Sequence, residues 1–281
     1  MLKFTKMHGI GNDYIYINAI EQQIDDPNAL ALKLSDRRFS IGGDGVILIC
    51  KSDVADAKMR MFNADGSEGK MCGNGVRCVG KYVYDNLLSD KSRDTITIET
   101  LSGIKTLKIT AVDGKAELLE VDMGKAELNA SEIPVIYEGS DTVIAKPLVV
   151  NGVEHIVTCV SMGNPHCVTF VDDVDSLELE KVGPHFENHA AFPERINTEF
   201  VKVVDDKTLQ MRVWERGSGE TWACGTGACA TAVAACENGY CKKGENITVH
   251  LRGGDLIINY TDERVLMTGP ATKVFDGEIE V

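Results

Sequence analysis

Two cysteines of this chain share one local setting, Cys72 in MCGNG and Cys224 in ACGTG, and it suits a thiol that moves protons. The glycines permit a tight turn, and a helical pattern begins directly after it. A thiol at a helix start meets N–H groups that lack intrahelical partners and the positive end of the helix dipole. Both stabilise a thiolate, so a pKa lowered from about 8.5 toward neutrality is expected. The amides of Gly73, Asn74, Gly225 and Thr226 are also donors for a carboxylate. Two helix starts on one carboxylate would stabilise charge spreading onto it from the adjacent carbon, with no ring cofactor such as pyridoxal phosphate. One thiol then removes a proton from one face of that carbon while the other delivers one to the opposite face, and the roles exchange in reverse.

The two settings are copies of each other. MRMFNADGSEGKMCGNG from Met59 aligns with MRVWERGSGETWACGTG from Met211, an offset of 152 residues (211 − 59). The same offset relates Asn12 to Asn164, each after a glycine, and Cys72 to Cys224. Beyond Gly75 it falls by one, so that Thr97 pairs with Thr248 and Gly103 with Gly254. A repeat of this length implies an internal duplication with a single-residue deletion in the second copy.

The elements that must hold the cysteines follow from the pattern. Each copy ends in alternating β-branched runs, TITIET and ITVHL, followed by a glycine turn and a second strand. Each also has one short helical pattern after its CGxG, through Val76, Val79, Val83 and Leu87 in one and Ala228, Ala232 and Ala235 in the other. Asp85-Asn86 and Asn238-Gly239 read as the ends of these helices. The expected fold is α+β, with two pseudo-symmetric domains, each a mostly antiparallel sheet or barrel around a central helix. The boundary falls near residue 126, ahead of the Glu127–Pro147 stretch, and the site lies in a cleft where the cysteines face each other.

Bulk properties exclude several alternatives. The 281 residues are 43% hydrophobic and 26% charged, with 29 Lys and Arg against 43 Asp and Glu, a net charge of −14 that opposes binding to nucleic acid or an anionic membrane. No segment approaches the roughly 18 apolar residues of a membrane span, and the first residues lack the apolar core of a leader, which implies a soluble, cytoplasmic protein. Nine cysteines imply a reducing compartment, and none lies in a CxxC knuckle, so no structural zinc is expected. Cys50, Cys159, Cys167, Cys236 and Cys241 read as small buried hydrophobes, and Cys78 and Cys229 as facing the helix interior. His8, His155, His185, His189 and His250 read as structural or surface residues, and Asp172, Asp173 and Asp175 as a solvated turn.

FNADGSEGKMCGNGVRC, SMGNPHCVTFVDD, PERINTEFV and ERGSGETWACGTGACA, together with MHGIGNDY and LMTGPATKVFDGEI near the ends, resemble the motifs of the diaminopimelate epimerase family over essentially the whole chain. The resemblance implies interconversion of LL- and meso-2,6-diaminoheptanedioate, without cofactor or metal, in lysine and peptidoglycan precursor synthesis, by a homodimer. It implies Cys72 and Cys224 as the catalytic pair and His166 and Glu215 as supporting groups. Substrate contacts are implied for Asn12, Asn63, Asn164, Asn197, Glu215 and Arg216 and for the amides of Gly73, Asn74, Gly225 and Thr226. It also implies that the last strand returns to the first domain, giving domains of residues 1–125 with 268–281 and of residues 126–267. Some members carry glutamine where this chain has Gly45, which cannot make that side-chain contact; water or Asp44 is expected to fill the gap.

The chemistry of these residues fits a substrate with an amino-acid head at each end. Arg216 can clamp a distal carboxylate, Glu215 can accept from an ammonium, and the asparagines offer donors and acceptors. Asn63 and Glu215 are repeat partners, as are Gly45 and Asn197, so the duplicated frame has become asymmetric. Two other readings stay open. A two-thiol racemase of proline, hydroxyproline or histidine would leave Arg216 without an anion. A redox or ligand-sensing module would join Cys72 and Cys224 in a reversible disulfide. His166, following Asn-Pro, also suits a strand start where it satisfies backbone groups.

Overall fold

Alternating apolar residues and glycine turns in the first copy build β1 (Leu2–Gly9), β2 (Asn12–Asn18), α1 (Pro27–Ser35), β3 (Gly45–Cys50), β4 (Ala57–Asn63), β5 (Glu68–Gly69), α2 (Gly73–Tyr82), β6 (Thr95–Thr100), β7 (Gly103–Val112) and β8 (Lys115–Asp122). The second copy builds β9 (Lys146–Val150), β10 (Val153–Ser161), β11 (Pro165–Phe170), α3 (Leu179–Glu187), β12 (Asn197–Asp205), β13 (Thr208–Glu215), β14 (Gly219–Thr221), α4 (Gly225–Glu237), β15 (Asn246–Leu251), β16 (Gly254–Tyr260) and β17 (Val265–Pro270), and the chain ends in β18 (Thr272–Ile279). This computed structural model describes residues 1–281. They form two units, Met1–Asp122 with Thr268–Val281, and Met123–Met267.

In the first unit β18 pairs with β1, and the order continues through β2, β3, β4, β6, β7 and β8. Only β2–β3 and β4–β6 are parallel. Helix α2 touches β1, β2, β6 and β8, strands from both ends of that order, so the sheet curls around it. Every residue from Gly73 to Gly80 is buried, as a helix enclosed on all sides requires. In the second unit α4 is wrapped in the same way by β10, β11, β12, β13, β15 and β16. Its alanines keep the helix thin enough for the strands to approach.

The duplication holds in hydrogen-bond register as well as in sequence. Tyr14 opposes Gly45 in one parallel pair and His166 opposes Asn197 in the other, each residue displaced by 152. Ala57 opposes Ile98, and Leu209 opposes Val249, the latter strand now displaced by 151 (249 − 98). The lost residue falls in the helical stretch, where α2 continues as a wider π turn, Val83–Leu87, that takes one more residue per turn. Helical backbone therefore runs through Asp85-Asn86 and does not end there as the sequence reading expects. In the second copy α4 does stop at Asn238, with Gly239 at φ +77°.

Each copy also contains a second helix that the apolar periodicity does not reveal. Asp26 caps α1 by accepting from the Ala29 amide at 3.0 Å, and Pro27 takes the first helical position. Leu30, Ala31 and Leu34 of α1 pack on Val46, Leu48, Ile15 and Ile17, the face of the sheet opposite α2. Strand β3 is thus covered on both sides, which explains the unbroken apolar run Val46–Ile49. In the second copy α3 places Leu179 and Phe186 on Ile196 and Phe200 in the same way.

Gly183 in α3 lets the Trp214 indole lie flat against the helix; a Cβ there would come within 2.3 Å of the ring. The indole N–H donates to Glu187 at 2.7 Å, which fixes the ring. Gly183→Ala gains up to about 1 kcal/mol of helix propensity but forces overpacking of about 1–3 kcal/mol and strains that hydrogen bond. Packing wins, and a lower urea midpoint with altered tryptophan fluorescence is expected; an unchanged midpoint would show that the ring moves freely.

Candidate active site

The first residue before each enclosed helix is the cysteine. Cys72 and Cys224 are the N-caps of α2 and α4, with backbone angles of −131°, 123° and −120°, 106°. In each, the sulfur accepts from the amide three residues on, Gly75 or Gly227, at 3.4 Å. The carbonyl of each cysteine accepts the first intrahelical bond, from Val76 at 2.8 Å and Ala228 at 2.9 Å. Gly73, Asn74, Gly225 and Thr226 therefore lie in the first turns, where helix geometry points N–H groups outward from the helix start.

Around Cys72 the thiol donates to Asn12 Oδ1 at 3.3 Å, and Asn12 Nδ2 donates to Asp44 at 2.7 Å. Asp44 also accepts from the Asp13 amide at 3.0 Å and pairs with Arg37 at 2.8 Å. Asp44 thus orients the asparagine. Asn63, at the end of β4 opposite Gly45, donates to Ser67 at 3.0 Å. A Cβ on Gly45 would lie 2.1 Å from the Phe62 carbonyl and 2.9 Å from the Tyr14 ring, so this backbone has no room for a larger residue. Cys78, two helical positions beyond Val76, is completely buried, and burial pushes its thiol up to about 11.

Around Cys224 the surroundings are richer. Thr226 Oγ1 lies 3.6 Å from the sulfur and accepts from Asn164 Nδ2 at 3.3 Å. Asn164 Oδ1 faces His166 Nε2 at 3.1 Å, and His166 Nδ1 faces Glu199 at 2.7 Å. Glu215 accepts from the Thr221 hydroxyl. Burial raises the Glu215 carboxyl, and hydrogen bonds from Thr221 and Cys224 only partly offset it. Asn197 is 4% exposed; it donates to the Pro165 carbonyl and accepts from the Arg216 amide, both at 2.9 Å. It therefore braces the turn that carries Arg216. The Arg216 guanidinium donates to the Glu194 carbonyl at 2.8 Å and forms no ion pair with a carboxylate.

One expectation is overturned. Cys224 is 5% exposed, and burial, with the carboxylates of Glu215 and Glu199 next, pushes its thiol well above the ordinary range. Bonds from Thr226 and the Gly227 amide oppose this without prevailing. The helix-start argument for a lowered pKa omits desolvation, which is the larger effect at this site. Cys50, read as buried, is half-buried instead. Glu199 escapes the sequence reading although a signal exists, because the repeat aligns it with the aliphatic Ile47 in an otherwise apolar strand (199 − 47 = 152).

Curled sheets around a central helix, written twice, define the fold, and a probable proline racemase from Agrobacterium radiobacter shares it. Its solved structure superposes with a TM-score of 0.74 at 12% identity over 100% of this chain and 93% of that one. The family model for diaminopimelate epimerase matches residues 4–129 and 158–274, and the chain belongs to that family. A diaminopimelate epimerase of Methanococcus maripaludis strain C5 is 56% identical over 282 residues, covering 100% of both chains. One from Acetivibrio thermocellus is 55% identical over 284 residues, covering 100% of this chain and 99% of its own.

Alkylation tests the state of Cys224 directly, because iodoacetamide reacts with thiolate. At neutral pH Cys224 should label more slowly than an unstructured thiol, with the rate still climbing above about pH 8.5, the ordinary cysteine value. Peptide mass spectrometry reads this out, and rapid labelling of Cys224 at pH 7 would contradict it.

Proposed function

We propose that this chain interconverts LL- and meso-2,6-diaminoheptanedioate by moving protons at one α-carbon between Cys72 and Cys224, without a cofactor. The observation that carries the reading is the repeated thiol N-cap, extended in backbone and closed by a 3.4 Å bond in both copies, whose other neighbours have diverged. Inversion at carbon needs an acceptor on one face and a donor on the other, and two equivalent thiols supply both.

In one direction the Cys72 thiolate takes the α-proton, and the electron pair of the C–H bond moves into the carboxylate to give an enolate-like species. The Cys224 thiol then donates its proton to the opposite face and is left as thiolate; the reverse reaction exchanges the roles. Burial, with the carboxylates near Cys224 next, favours the form in which Cys224 holds the proton it would donate. First-turn amides at Gly73, Asn74, Gly225 and Thr226 are assigned to the reacting carboxylate, whose growing charge they meet without reorganising. Arg216, free of any carboxylate of its own, is assigned to the distal carboxylate, and Glu215 to an ammonium. Asn12, Asn63 and Asn164 are assigned to polar groups of the substrate, and Asn197 to holding Arg216.

Arg216 also favours this reading over a racemase of monocarboxylic amino acids, which offer it no second anion. No helix is long and apolar enough to cross a membrane. We further assign the protein to the cytoplasm as a homodimer that does not bind nucleic acid, supported by nine free thiols, a net charge of −14 and the family resemblance. Light scattering at twice the chain mass would bear out the dimer.

The reduced protein incubated in deuterated water should place deuterium at the α-carbon of LL-diaminopimelate and not of proline, histidine or glutamate. Exchange confined to another amino acid would sink the substrate assignment. Cys72→Ala and Cys224→Ala should each lose at least about a hundredfold in epimerisation, the usual scale of acid–base catalysis. Because Cys224 must carry a proton to act as donor and its thiol is raised, the alkaline loss of activity in that direction should begin above about pH 8.5, the ordinary thiol value.

A further inference from the structure

Glu199 and Ile47 occupy equivalent places in the two copies, each pointing from a parallel strand at the first turn of the enclosed helix. Ile47 Cδ1 lies 2.8 Å from where a Cβ would sit on Gly75, and Glu199 Oε1 lies 2.7 Å from the corresponding point on Gly227. A carboxylate has replaced an aliphatic side chain in a fully enclosed position, with 0% exposure. Removing a charge from water costs several kcal/mol unless it is paired, so an unneeded carboxylate would not persist at a site shaped for isoleucine. Its Oε2 has no hydrogen-bond partner at all. Oε1 has one, His166 Nδ1 at 2.7 Å, and that ring is also 0% exposed.

From His166 the polar line runs on without a gap: Nε2 to Asn164 Oδ1 at 3.1 Å, Asn164 Nδ2 to Thr226 Oγ1 at 3.3 Å, and Thr226 Oγ1 to Cys224 Sγ at 3.6 Å. As the Asn164 amide is placed, both neighbours of the ring in this line are acceptors, an arrangement that calls for hydrogen on each ring nitrogen. A ring with hydrogen on Nδ1 alone would instead accept at Nε2 from the Asn164 amide nitrogen and turn the amide over, so the hydrogen on Nε2 decides which end of Asn164 faces Thr226. The first copy has no such line, because Tyr14 replaces His166 and Ile47 replaces Glu199. Besides His166, the titratable groups facing Glu199 are Cys167 on β11, Glu215 on β13 and Cys224 at the start of α4.

We propose that Glu199 is a positioning residue for the proton transfer at Cys224: through His166 it fixes which end of the Asn164 amide faces Thr226 and the thiol. The inference rests on the assignment of Cys224 as an acid–base group. It gives the second copy a fully buried polar support in place of the half-exposed Asp44–Arg37 pair that steers Asn12 in the first, and so makes two thiols of common origin unequal.

Glu199→Gln keeps the shape and removes the charge. With diaminopimelate as substrate it should lower kcat about tenfold, the difference between a charge-assisted and a neutral hydrogen bond, while KM moves less than about threefold. His166→Gln added to Glu199→Gln should cost little more, since the two act as one unit. In the wild type without substrate, nitrogen-15 spectra of labelled histidine should show both His166 ring nitrogens protonated near neutral pH, and Glu199→Gln should convert the ring to a neutral form. Wild-type kcat in a folded Glu199→Gln protein, or a neutral His166 ring in the wild type, would overturn the proposal. If the variant does not fold by circular dichroism, the wild-type spectrum alone decides. A wild type that exchanges none of the amino acids would count against the proposed function, while the His166 spectrum would still be read independently.

Discussion

A helix can be enclosed by a curled sheet only if its ends are satisfied from within, and here a sulfur does this at each start. The 3.4 Å bonds from Gly75 to Cys72 and from Gly227 to Cys224 hold the thiols at the mouths of the two enclosed helices. They also require glycine three residues on, since a Cβ there would press on the sulfur-bearing residue and on Ile47 or Glu199. The CGxG motif is thus a packing solution and a chemical one together: the geometry that closes the helix start also aims a thiol and a row of amides outward.

From that shared frame the copies diverge in what surrounds the sulfur. Cys72 donates to an asparagine steered by Asp44, with Arg37 and Asp13 behind it. Cys224 is more deeply buried and has Glu215, Glu199 and Thr226 close by, with His166 linked to it through Asn164 and Thr226. Two carboxylates beside a desolvated thiol make the proton hard to remove, and the helix dipole is too weak to reverse that. The duplicated fold lets the surroundings of one thiol change without disturbing those of the other.

The supporting structure explains which positions were free to change. Val46 and Leu48 pack with α1, and Phe200, the counterpart of Leu48, packs with α3, while Thr198 stands where the first copy has Val46. Ile47 and Glu199 face the first turns of α2 and α4, and Gly45 and Asn197 begin the strands that carry them. Chemistry has therefore been introduced on one face of β12 while the other continues to carry the core.

Much of this was legible in the chain itself. A constant offset of 152 made Cys72 and Cys224 equivalent before any fold was known, and its fall to 151 reappears in strand register, because a duplicated backbone keeps its hydrogen-bond partners. The enclosed helices followed from apolar spacing. The helices α1 and α3 did not, because nine residues packed on a sheet carry too short a stripe to stand out, and only the Asp26-Pro27 start marks the first. The sequence determined which residues could exchange protons and that there were two of them. Only the tertiary structure decided how tightly each is held, since burial, the approach of Glu199 to α4 and the turning of Asn197 toward Arg216 arise from side chains brought together from distant strands, where desolvation outweighs the local helix field.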